Sequence, residues 1–89
     1  PGKMHLSAQP NPFSKSVRIS FESSVIDPVH LMVYDLTGLL VKALKTAGQK
    51  ATWLGDDESG YKLPSGIYFI HAKNTVTGVS ELLKVLKVE

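Results

Sequence analysis

The stretch SVRISFES, residues 16–23, decides the fold. Val17, Ile19 and Phe21 alternate with Arg18, Ser20 and Glu22. Successive side chains of an extended chain point to opposite sides, so this order puts the apolar groups on one face and the polar groups on the other. A helix would scatter the same residues around its axis. The segment is therefore predicted to be a β-strand with one buried face, and such a strand needs a second layer to cover it.

Working outward, VHLMVYD at 29–35 repeats the pattern, with Val29, Leu31 and Val33 on one face and His30, Met32 and Tyr34 on the other. VIDP at 25–28 reads as the turn between the two, on the strength of Asp27-Pro28. Upstream, KMHLSA at 3–8 alternates weakly and reads as a short first strand. QPNPFSKS follows, where Pro10 and Pro12 lack a backbone N–H and bracket Asn11; this is a stiff connector that cannot lie inside a sheet. Downstream, DLTG turns the chain into LLVKALK at 39–45, which is short for a helix and reads as a returning strand. KATWLG at 50–55 is a short strand carrying the single Trp, DDESGYKLPSG at 56–66 a polar loop, and IYFIHAKN at 67–74 a strand rich in aromatic and β-branched residues. TVTG turns into VSELLKVLKVE at 79–89. There Leu83 and Val85 share a face that Lys87 joins, while Leu82, Lys84, Leu86 and Val88 share the other. A bulge, or a strand partly covered on both faces, accounts for this mixture, and a short amphipathic helix is the competing reading. About seven short strands with regular turn signals predict an all-β chain, a sandwich or a small barrel.

The 89 residues make one domain, with little core to spare for a deep pocket. The formal charge of +2 and the scatter of the ten Lys and Arg argue against nucleic acid, which calls for a concentrated basic patch. With no Cys, disulfides, thiolate metal sites and Cys nucleophiles are all excluded. No apolar run approaches the ~18 residues of a membrane-spanning helix. No signal peptide is visible, and a chain that starts at Pro1 reads as a piece of a longer protein.

Catalytic and ligand-binding patterns are sparse. His5, His30 and His71 have no zinc-ligand spacing, although His30 and His71 sit on strands that could meet. Ser65 lies in a Pro-Ser-Gly turn with neither the nucleophile-elbow glycines nor a following helix. Asp56, Asp57 and Glu58 are candidates for a Ca²⁺ site in a glycine-flanked loop. Adjacent carboxylates point different ways, however, so a solvated loop is the plainer expectation. Tyr34, Trp53, Tyr61, Tyr68 and Phe69 could form a sugar-stacking platform, but most are placed for core packing, with Tyr61 the one expected to be exposed. No catalytic residue and no cofactor is assigned.

Four segments in order, QPNPF, VYDLTGLLVKAL, TWLGDDESGYKLPSGIYFI and LLKVLKVE, carry a resemblance over roughly residues 10–89. Together they resemble the C-terminal sorting domain of the type IX secretion system, a relative of the Ig-like domain of the flagellar hook-capping protein. The resemblance implies a single Ig-like antiparallel β-sandwich, non-catalytic, at the C-terminus of a larger exported bacterial protein. It implies partners in the type IX machinery, an N-terminal cargo domain in the same chain, and a destination at the cell surface or outside the cell. By position it marks Pro10, Asn11 and Pro12, the hairpin glycine Gly38, then Pro64, Ser65, Gly66 and Tyr68. Its terminal signal strand falls on Lys84, Val85, Leu86, Lys87, Val88 and Glu89. The rival readings are a structural Ig-like module of an extracellular enzyme and a carbohydrate- or Ca²⁺-binding module.

Overall fold

The structure, a computed structural model, describes residues 4–23, 29–46 and 48–88, with Met4 and Ser23 described by their backbone alone. The expected turn at 25–28 and Glu89 lie outside the described residues. Seven strands make up the fold: β1 (Met4–Gln9), β2 (Val17–Ser23), β3 (Val29–Asp35), β4 (Leu40–Leu44), β5 (Lys50–Trp53), β6 (Gly66–Asn74) and β7 (Ser80–Lys87). They form two antiparallel sheets, ordered β1-β2-β5 and β4-β3-β6-β7. The first matches strands A-B-E of an immunoglobulin domain; β3-β6-β7 matches C-F-G, and β4 extends that second sheet. The all-β, Ig-like sandwich expected from the sequence is the fold observed.

Alternation sets the core. Val17 lies opposite Trp53 and Ile19 opposite Ala51, while in the second sheet Val33 lies opposite Ile70 and Tyr68 opposite Val85. All of these side chains are buried in one cluster between the sheets, together with Phe13, Phe21 and Leu31. Trp53 is fully buried, its indole 5.4 Å from the Phe13 ring and 5.2 Å from the Tyr68 ring. Immunoglobulin domains place their core Trp on strand C beside a disulfide; here it sits on β5, and its Nε1 donates to the Asp56 carbonyl at 2.9 Å. That bond satisfies the one polar group such a ring brings into an apolar core.

Three expectations are corrected. Over residues 79–88 the strand partly covered on both faces is the reading that holds, and the bulge and the competing helix are not found: β7 pairs with β6 without a break from Lys73–Ser80 to Gly66–Lys87. Lys87 does join Leu83 and Val85 on the inner face, while Leu82 and Leu86 on the outer face stay 57% and 40% exposed. The register shift lies instead between Val33 and Tyr34 where β3 meets β4. β5 ends at Trp53, so Leu54 and Gly55 lie outside the strand. Finally, the proline segment after β1 is not a bare connector. It carries the chain from the first sheet to the edge of the second, with cis peptide bonds before Pro10 and Pro12.

Candidate functional site: the last strand and its clasp

β7 is an edge strand, and one half of its outer edge is covered by residues 11–13. The Asn11 amide stands in for a peptide group: its Nδ2 donates to the Lys84 carbonyl at 3.1 Å and its Oδ1 accepts from the Leu86 N–H at 3.0 Å. Phe13 continues the same line through its backbone. Its N–H donates to the Leu86 carbonyl at 2.9 Å and its carbonyl accepts from the Val88 N–H at 2.8 Å, in a parallel bridge to Lys87. Only a side chain with both a donor and an acceptor in one plane can do what Asn11 does, because Pro10 and Pro12 on either side have no N–H to offer. Unpaired edge groups recruit foreign strands, and this clasp occupies the Lys84 carbonyl, the N–H and carbonyl of Leu86 and the Val88 N–H.

The clasp is anchored from beneath. Phe13 is 1% exposed and packs on Trp53. Lys87, only 4% exposed, lays its aliphatic stem over Gly55. A Cβ at residue 55 would lie 2.6 Å from Lys87 Cε and 3.5 Å from the Phe13 ring, and Gly55 has a φ of 69°. The left-handed backbone there calls for glycine, and a Cβ would in addition displace the Lys87 stem.

The other edge of the same half-strand meets the Pro-Ser-Gly turn. Gly66 pairs with Lys87 and Tyr68 with Val85. The φ of 153° at Gly66 lets the chain swing from the turn straight into β6. The Tyr68 hydroxyl donates back to the Pro64 carbonyl at 2.6 Å, which pins the turn in the manner of an immunoglobulin tyrosine corner. Burial, and secondarily the charge of Asp35, raises the Tyr68 phenol above its ordinary value. Thus Asn11, the Pro64–Tyr68 turn and residues 84–88 converge on one place. Gly38 does not join them; it closes the β3–β4 hairpin, its N–H donating to the Asp35 carbonyl at 3.0 Å. In that hairpin Asp35 Oδ1 accepts from the Thr37 hydroxyl at 2.6 Å, the Thr37 N–H and the Leu39 N–H. These bonds, that of the Thr37 hydroxyl first, hold the Asp35 carboxyl below its ordinary range.

Candidate ligand groups elsewhere are turned to separate partners. Asp56 Oδ2 faces Lys42 Nζ at 3.3 Å; Asp57 Oδ1 accepts from the Ser59 and Tyr61 N–H groups; Glu58 Oε2 accepts from the Ala43 N–H at the β4 edge. Asp56 Oδ1 is buried without a hydrogen-bond partner among the described residues. No group of three or more His, Asp or Glu able to hold a metal occurs among the described residues. Of the proposed ring platform, Trp53 and Tyr68 are core, Tyr34 and Phe69 are half-buried on the outer face of the second sheet, and Tyr61 is 74% exposed. An open cleft of about 300 Å³ lies between Asp35–Thr37 and Leu63–Tyr68. The Asp35 carboxylate and the Tyr68 hydroxyl are both engaged by the turns beside it.

The family of secretion system C-terminal sorting domains matches residues 7–85. The chain belongs to this family. Two solved structures share the fold. One is PorZ, an essential bacterial surface component of the type IX secretion system of Porphyromonas gingivalis, with a TM-score of 0.77 and 19% identity over 94% of this chain and 11% of that one. The other is dimeric latent PorU from Porphyromonas gingivalis, with a TM-score of 0.79 and 22% identity over 99% of this chain and 9% of that one. The chain therefore spans about a tenth of the length of either protein. No curated protein matches it. Within the domain, Asn11 and Phe13 are bonded to the last strand, more than 70 residues away in sequence, in one clasp. Phe13, Gly55 and the inward Lys87 complete that clasp, and sequence reading did not single out their joint role. The one available signal was Lys87 falling on an apolar face, which showed a stem that must be buried but not what buries it.

Proposed function

We propose that this domain is a non-catalytic type IX sorting signal, carried at the C-terminal end of a larger exported protein and read through its folded last strand. The supporting observation is the convergence of the Asn11 clasp and the Pro64–Tyr68 turn on residues 84–88. A signal read as an ordered strand must be held in register, and both its edges are held. The attached N-terminal domain is the cargo, the machinery proteins are the partners, and the destination is the cell surface or the medium. Sorting needs no reaction chemistry, only a fold and a strand that can be recognised.

The test is a periplasmic reporter fused ahead of residues 1–89 in a type IX-competent cell. Export of the fusion and its loss on deleting 84–89 are expected. Undiminished export of the truncated fusion refutes the proposal.

A further inference from the structure

The two outer faces of the sandwich differ in kind. On the β1-β2-β5 sheet the outward positions are polar, among them Ser7, Arg18, Ser20, Glu22 and Thr52. On the β4-β3-β6-β7 sheet the outward positions carry Met32, Tyr34, Ile67, Phe69, Leu82 and Leu86. Cross-strand register makes these one field: Tyr34 lies opposite Phe69, Ile67 opposite Leu86, and Met32 opposite His71, which lies opposite Leu82. The Tyr34 ring stands edge-on to His71 at 6.4 Å, and its hydroxyl contacts Met32 Sδ at 3.6 Å. Contiguous apolar faces of this kind on a small domain are typically places of contact.

The charges on the face narrow the occupant. Lys84, opposite Phe69 and between Leu82 and Leu86 along β7, and Lys73, opposite Ser80, are its charged side chains, and no Asp or Glu occupies an outward position there among the described residues. A second copy docked face to face offers no carboxylate from the outward strand positions of this sheet to meet Lys84 or Lys73. A partner with an apolar surface bearing a carboxylate is complementary on both counts.

We propose that the outer face of this sheet, centred on Phe69, Lys84 and Leu86, docks a protein of the export machinery whose contact surface is apolar and presents a carboxylate to Lys84. The docking face itself stands on composition and register; placing the partner in the export machinery rests on the sorting reading above.

The experiment has a direct arm and a cellular arm. In the direct arm, the ¹⁵N-labelled domain is titrated with anilinonaphthalene sulfonate, an apolar ring system bearing one anion. Amide shifts centred on residues 69, 82, 84 and 86 are expected. Binding should weaken about fivefold or more in Lys84→Glu, vanish in Leu82→Glu/Leu86→Glu, and stay unchanged in Ser20→Glu/Thr52→Glu on the opposite sheet. Shifts centred elsewhere, or Lys84→Glu binding like the parent, overturn the proposal. So does binding of phosphatidylglycerol vesicles through the same residues, which would make the face a membrane contact, or dimerisation through it in sedimentation. In the cellular arm, the reporter fusion should lose export in the Lys84→Glu and Leu82→Glu/Leu86→Glu forms and keep it in the opposite-sheet control. Export of all forms alike overturns the docking face and leaves the sorting reading standing. Failure of the parent fusion itself to export overturns the sorting reading, and with it the machinery partner, while the titration still decides the face. Circular dichroism and urea unfolding establish that each variant is folded, and Lys84→Glu, which changes an exposed side chain, carries the test if the double variant is not.

Discussion

Replacing Asn11 by Ala isolates the clasp from the rest of the core. The change removes the 3.1 Å bond to the Lys84 carbonyl and the 3.0 Å bond from the Leu86 N–H and touches no buried side chain. A neutral hydrogen bond contributes ~0.5–1.5 kcal/mol net. Both of these are exposed, so water partly replaces them, and the loss should be about 1–2 kcal/mol. With a urea slope of ~1–1.5 kcal/mol/M for a domain this small, the unfolding midpoint should fall by about 1 M. Hydrogen exchange supplies a local readout, because the Leu86 amide should lose protection by more than the global destabilisation explains. Asn11→Asp sharpens the argument. Its carboxylate still accepts from Leu86 but faces the Lys84 carbonyl with no proton to donate, so it should be less stable than Asn11→Ala at neutral pH and recover at acid pH as a donor returns. A cost below about 0.3 kcal/mol in Asn11→Ala, with unchanged exchange at Leu86, would refute the clasp.

Gly55→Ala should cost about 1–3 kcal/mol in urea unfolding, from the left-handed backbone and the 2.6 Å approach to Lys87 Cε; a double-mutant cycle with Lys87→Ala should recover part of that loss. Trp53→Ala empties the middle of the core and should cost ~3–5 kcal/mol, enough to leave the far-UV spectrum substantially unfolded at 37 °C. Tyr68→Phe removes only the 2.6 Å bond to Pro64 and should cost about 1 kcal/mol by thermal or urea unfolding. The contribution of Asp35, whose folded value lies below the ordinary 3.8, is fully present at neutral pH and is lost as pH falls through that lowered value. The difference in urea midpoint between the parent and Asp35→Ala should therefore shrink between pH 5 and the acid limit, and a difference independent of pH would contradict it.

The strands were legible where one face is buried and the other wet, as in Val17, Ile19 and Phe21. β7 was harder because its two faces break the rule in opposite senses. The buried face takes a lysine, whose apolar stem is hidden, and the outer face keeps Leu82 and Leu86 in the open. Alternation alone cannot distinguish that from a bulge. Of the clasp, only the buried stem of Lys87 left a trace in the sequence. Local pattern showed that two prolines cannot join a sheet ladder, which is true of their nitrogens, but an asparagine amide can take the place of a peptide group across 73 residues of sequence. The same blindness hid the roles of Asp56 and Glu58, whose partners Lys42 and Ala43 are set by how β4 comes to lie beside the loop.

The parallel bridge between Phe13 and Lys87 has a mechanical consequence. Load applied through cargo upstream of residue 4 and through a grip beyond residue 88 pulls these two neighbouring, like-directed segments in opposite senses along their length. The four hydrogen bonds joining residues 11 and 13 to residues 84–88 then share the force and fail together, where an antiparallel hairpin would open one rung at a time. A domain pulled from beyond residue 88 would thus resist tension at this seam.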